Sequence, residues 1–153
     1  MNLILESPAS IPYFTNVGRI LHAAGLDARN FDWYVSDVET NIDVPDLLAG
    51  GRWLSGEELT QILAIDRLQF IWGVFSAVPK GARCLVEAEP FVDGNKAYWS
   101  AGEIRPQLPG ALFEVSCWDS SATVLVGLSD EQAAAFRRSF PQAKLLSQAS
   151  AGR

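Results

Sequence analysis

Histidine occurs once in this chain of 153 residues, methionine once and cysteine twice, and each scarcity closes off a class of function. A metal centre of imidazole and thiolate ligands needs several such side chains at close spacing, whereas Cys84 and Cys117 stand far apart. Two cysteines are also too few for a disulfide framework. The only histidine, His22, flanks an apolar helical stripe and reads as an ordinary partly buried or surface residue. Bases are scarce as well: 12 Lys and Arg against 18 Asp and Glu, with a pI near 4.7. Phosphate backbones are held by clustered cations, and Arg137-Arg138 is the only adjacent pair, so direct nucleic-acid binding is not expected. There is no run of eighteen apolar residues for a membrane span. The opening Met1–Glu6 has no basic residue and meets an acid early, which argues against a signal peptide. A cytoplasmic protein with reduced thiols is the expectation. The nucleophile elbow, the P-loop and the dinucleotide fingerprint are all missing; Gly50-Gly51 and Asp93-Gly94 read as turns.

What is present suits a single folded domain. Hydrophobic residues make up 48% and charged residues 20%, and five tryptophans and eight phenylalanines supply bulk for a core. Leu3-Ile4-Leu5 reads as a first strand. Ser10 and Pro12 mark a helix start and Gly25 its end, with Val17, Ile20, Leu21 and Ala24 along one face. From Phe31 the period becomes two: Phe31, Trp33 and Val35 alternate with Asp32, Tyr34 and Ser36. A loop broken by Pro45 and Gly50-Gly51 leads to Ser55-Gly56-Glu57-Glu58, a capping box ahead of the stripe Leu59, Ile62 and Leu63. Gln69–Val78, apolar on both faces, suits a central strand covered on both sides. Between 82 and 110 the turn chemistry of Asp93-Gly94-Asn95 suggests a hairpin joining Phe91-Val92 to Lys96–Trp99. Ala111–Trp118 and Ala122–Leu128 read as strands around Asp119-Ser120-Ser121. Ser129 opens a last helix that Pro141 closes, and Ala143–Leu146 is a candidate edge strand. The expected fold is α+β, in the order β-α-β-α-β-(β-β)-β-β-α. It has three helices on one face of a mostly antiparallel sheet of five to six strands. Residues 1–146 form the domain and 147–153 a flexible tail.

Four stretches carry a resemblance: Asp32-Trp33-Tyr34, Ser55-Gly56-Glu57-Glu58-Leu59, Ala77-Val78-Pro79-Lys80-Gly81 and Cys117-Trp118-Asp119-Ser120-Ser121. Their layout resembles a family of small bacterial α+β proteins known only as a domain of unknown function. The resemblance skips 82–110. It implies the order of elements and a bacterial setting, and no catalytic residue.

Charge is distributed unevenly. Between Arg29 and Arg52 lie five carboxylates and no base: Asp32, Asp37, Glu39, Asp43 and Asp46. Without them the chain would carry 13 acids against 12 bases, so this window holds nearly all the net charge of −6. Asp37, Glu39, Asn41 and Asp43 recur like the first ligands of a calcium loop. That loop needs Gly at its sixth place and Glu at its twelfth, where this chain has Ile42 and Leu48, so no metal is expected. A two-metal nuclease site is weaker still without a nearby lysine. Cys117 with His22 and Asp119 would have the parts of a thiol hydrolase, but a strand cysteine more often packs a core. Trp33 and Trp72 belong on apolar strand faces; Tyr34, Trp53 and Trp99 are candidates for an exposed aromatic patch. The expected function is a non-enzymatic interaction module, immunity-protein-like, that docks a basic partner on Asp37, Glu39, Asp43 and Asp46 with Tyr34 and Trp53 beside them. It calls for no cofactor. The alternative is a small enzyme or ligand-binding domain whose acidic pocket meets Asp119, Cys117 or His22.

Overall fold

The computed structural model describes residues 1–6, 16–47 and 50–149. Among these residues seven strands form one antiparallel sheet: β1 (Leu3–Glu6), β2 (Phe31–Thr40), β3 (Arg52–Ser55), β4 (Phe70–Pro79), β5 (Phe113–Trp118), β6 (Ala122–Val126) and β7 (Lys144–Leu145). Across the sheet they run β3-β2-β4-β5-β6-β1-β7. Three helices among the described residues, α1 (Val17–Ala23), α2 (Gly56–Leu63) and α3 (Asp130–Ser139), accompany them. The sheet is thus larger than the five to six strands expected. β3 carries no strand signal in the sequence because its four residues double as the approach to a helix cap, and only pairing with β2 makes them a strand. The hairpin expected at 91–99 does not form. Lys96–Trp99 is a short 3-10 turn capped by the Asn95 side chain, and no strand occurs from 80 to 112.

The local signals that did hold are those whose partners lie within a turn. Ser55 and Glu58 exchange hydrogen bonds across the first turn of α2, as Ser129 and Gln132 do in α3, satisfying N–H groups that an open helix end leaves orphaned. Gly25, at φ +73°, ends α1 with bonds from its own N–H to the His22 carbonyl and from Leu26 to Leu21. The helix start expected at Ser10 and Pro12 lies outside the described residues, and Asn16 caps the described part. Gly56 is required for a different reason: a Cβ there would stand 2.3 Å from the Ala28 carbonyl oxygen, so only glycine lets α2 begin so close to the 28–30 turn.

The three helices cover one face of the sheet. Val17, Ile20 and Leu21 of α1, Leu59 and Ile62 of α2, and Phe136 of α3 pack on Leu3, Leu5, Trp33, Val35, Phe75, Phe113, Val115 and Leu125. Trp33 is fully buried there and donates its indole N–H to the Ala28 carbonyl. The opposite face is covered by residues 81–112, which bring Val86, Val92, Tyr98 and Leu108 onto Tyr34, Val74, Val78, Val124 and Val126. The segment that resists sequence reading is the sheet's second lid. After α3, β7 pairs with β1, and Leu146 of the following 3-10 turn is buried; residues 150–153 lie outside the described residues.

Candidate functional site

β2 carries most of the acidic window, and four of its side chains, those of Asp32, Tyr34, Ser36 and Asp37, meet the 81–112 cover. Asp32 accepts from the Gly81 N–H at 3.1 Å and the Arg83 guanidinium at 3.2 Å. Tyr34 donates to Glu89 at 2.7 Å, and Ser36 donates to the Pro90 carbonyl at 2.7 Å. Asp37 accepts from the N–H groups of Val92 (2.8 Å) and Asp93 (3.0 Å) through one oxygen. Read along β2, the partners advance from 81 to 93, so the strand fastens the cover like a row of clasps. Strict alternation would put Asp37 on the face opposite Asp32. A bulge prevents this: pairing to β4 shifts register after Ser36, and Asp37 sits at φ +52°, a left-handed conformation that Asp tolerates better than most residues.

These contacts sort the expected docking residues. Asp32 is buried and Asp37 is engaged at its carboxylate, whereas Glu39 and Asp43 are exposed. Asp46 is exposed and faces Arg52 at 3.7 Å. Burial alone would push the Asp32 carboxyl up, but the Gly81 N–H and the Arg83 guanidinium, with the Lys80 charge behind them, outweigh it and hold the group below the usual range. Tyr34 is buried rather than exposed, and Trp53, half-buried, packs edge-on against it with ring centres 5.3 Å apart. Burial, then the Glu89 hydrogen bond and charge, push the Tyr34 hydroxyl up to about 12, so it remains a neutral donor. Gly51 lies against this pair; a Cβ there would meet Glu89 Oε1 at 1.8 Å and the Tyr34 hydroxyl at 2.3 Å. The cover therefore brings Glu89 and Asp93 beside the window, two carboxylates that sequence distance hides. Its own large exposed apolar side chains are Leu85, 84% accessible, Leu112, 50%, and Phe91, 48%.

A second polar cluster lies wholly inside. Glu114 of β5 is fully buried under the cover and accepts from the Tyr98 hydroxyl (2.5 Å) and the Gln107 backbone N–H (2.8 Å). Ser116 Oγ lies 2.8 Å from the Tyr98 hydroxyl, and the Gln107 amide donates to that hydroxyl at 2.7 Å. Burial raises the Glu114 carboxyl above its ordinary range despite these donors, and burial with the neighbouring carboxylate raises Tyr98. Sequence reading missed Glu114; the available signal was a lone acid at an inward position of an otherwise apolar strand.

The parts of a thiol hydrolase are not assembled. Cys117 is fully buried among residues under the helices, and burial pushes its thiol up, away from thiolate chemistry. His22 is exposed and lines a cavity of about 420 Å³ with Asp27, Arg29 and Thr60; Asp119 is exposed in the β5–β6 turn. A cavity of about 540 Å³ between Asn2, Tyr98, Trp99, Ile104 and Leu146, and one of about 350 Å³ beside Cys84, Leu85 and Gln107, contain none of the groups expected in an acidic pocket. Among the described residues no three His, Cys, Asp or Glu side chains converge to hold a metal ion, and no helix is long and apolar enough to cross a membrane. No family model, curated protein or solved structure matches the chain.

Proposed function

We propose that the protein is a bacterial interaction module of the immunity-protein type, which docks a basic protein partner on the acidic edge at the end of β2. The reading rests on one observation: Glu39, Asp43 and Asp46 stay solvent-exposed, with Asp93 tied to Asp37 two residues from Glu39. Carboxylates concentrated in this way attract a cationic surface over a distance of about one Debye length, roughly 8–10 Å at ordinary salt, and speed its encounter. Asp37 and Asp32 have a different task, as clasps that hold the edge in shape.

The test separates these roles. The triple variant Glu39→Gln, Asp43→Asn, Asp46→Asn is expected to keep its thermal stability. It should lose or weaken capture of a basic protein from native lysate, with association slowed roughly tenfold or more and the wild-type interaction fading at high salt. A partner set unchanged by the triple variant, or retention of no basic protein by the wild type, sinks the proposal.

A further inference from the structure

Three tryptophans meet at one end of the sheet, where β2 and β5 finish and β4 begins. Trp72 of β4 lies across from Trp118 of β5 with ring centres 5.4 Å apart, and Trp99 of the cover packs edge-on against Trp118 at 5.0 Å. All three are half-buried, at the margin of the apolar cluster that holds Val74, Val92, Tyr98 and Ala122. The cross-strand partner of Trp72 on β2 is Glu39, an exposed carboxylate of the acidic edge. The strands therefore place Glu39, Trp72 and Trp118 in one row, a carboxylate beside an aromatic ledge. Charge around the ledge favours a cation. Asp93 and Asp119 are exposed with Glu39, against Lys96 of the Trp99 turn and Arg67, which faces Asp66 at 3.9 Å.

The molecule shows elsewhere what such a pair can hold. Trp53 of β3 and Asp32 of β2 share the Arg83 guanidinium, which lies 5.9 Å from the indole ring centre and 3.2 Å from the carboxylate. A planar, weakly hydrated cation is drawn to the electron-rich indole, and the carboxylate fixes its orientation. The ledge has the same two parts and no cation of its own. Among the described residues Glu39 has no ion pair, and no guanidinium or ammonium lies over Trp72 or Trp118. We propose that Trp72, Trp118 and Glu39 seat an arginine side chain of the basic partner. Tryptophan and arginine are the usual anchors of an interface, and an aromatic ledge supplies the apolar contact that exposed carboxylates lack. The inference deepens the docking proposal by naming its central contact, and it rests on that reading for the partner being a protein.

The probe is the peptide Gly-Arg-Gly-Arg-Gly, titrated into the isotope-labelled full chain while the indole N–H signals are followed by NMR. One control replaces arginine by citrulline, which keeps the shape without the charge, and another replaces it by glutamate. The arginine peptide is expected to shift the Trp72 and Trp118 indole signals, and neither control is. Trp72→Phe should bind more weakly than wild type and Trp72→Leu more weakly again, with roughly tenfold lost at leucine. Glu39→Gln, at an exposed position, should weaken binding roughly twofold to fivefold with the melting temperature unchanged, which keeps the test sound if Trp72→Leu folds poorly. If the arginine peptide shifts neither indole signal, or citrulline shifts them equally, the arginine seat is wrong. It is also wrong if folded Trp72→Leu captures the same basic proteins as wild type while the Glu39, Asp43, Asp46 triple variant captures none; the acidic-edge proposal then stands. A chain that binds the arginine peptide at Trp72 and Trp118 but retains no basic protein upholds the seat and sinks the docking reading.

Discussion

On one face of the sheet the cover is three helices and the contact is apolar; on the other it is a segment with no strand, and a set of polar clasps joins the apolar packing. The first is sealed by Trp33, Phe75, Phe113 and Phe136 meeting the helix stripes, and its stability follows from area removed from water. The second buries Asp32, Ser36, Ser76, Glu114 and Ser116 of the sheet, together with Asn95 of the cover. An irregular segment cannot satisfy its own peptide groups through a helix or strand ladder, so the surface beneath must do so. β2 and β5 supply the acceptors and donors, at 81, 90, 92, 93 and 107. Apolar packing tolerates exchange among residues of similar volume, whereas a clasp depends on particular donors and acceptors and fails when its side chain is removed.

The largest expected effect lies on the helix face. Trp33→Ala should cost about 3–5 kcal/mol through the cavity it opens, with the lost Ala28 hydrogen bond included, read from urea denaturation at constant slope. A cost under about 1 kcal/mol would mean the helices are not what seals that face. Next comes Asp37→Ala, which strands two N–H groups and should cost about 1–3 kcal/mol. Its signature is local: amide exchange should quicken at Val92 and Asp93 while α1 and α3 keep their protection, and equal loosening of both faces would break the contrast between them.

The smallest effect is a matter of pH. Glu114 has a raised carboxyl in the folded state, so the native protein holds its proton more tightly than the unfolded chain does. Its share of stability is therefore fully present below the ordinary value of 4.5 and declines as pH rises from there toward the folded value. Glu114→Gln removes the titration, and its amide can sit with the N–H₂ toward the Tyr98 and Ser116 hydroxyls, which can turn to accept. The variant should match wild type at low pH and gain on it steadily above about 4.5 in denaturant midpoints taken across pH. A pH-independent difference would show that Glu114 does not titrate in this range.

Legibility divided along the same line. The capping boxes at Ser55 and Ser129 and the stop at Gly25 can be read because donor and acceptor lie three to five residues apart. The two-face apolarity of Gln69–Val78 reads correctly as a strand covered on both sides. The strand at Arg52–Ser55 cannot be read, since nothing within four residues distinguishes it from a loop. The bulge at Asp37 cannot be read either, and missing it puts that carboxylate on the wrong side of the sheet. Of the docking residues, Glu39, Asp43 and Asp46 remain exposed, while Tyr34 and Asp37 prove to be fastenings. Glu89 and Asp93 enter the candidate surface only because the cover folds back along β2.

The sequence by itself determined the α+β class, the caps at Ser55 and Ser129, the stop at Gly25, the alternating strands and the concentration of negative charge between Arg29 and Arg52, because each depends on composition, periodicity or neighbours within a turn. Only the tertiary structure decided which carboxylates face water and which hold the cover. It also decided that 81–112 becomes a lid and that Glu114 meets Tyr98 in the interior. Those outcomes depend on groups 7 to 56 residues apart, where no local propensity can choose the partner.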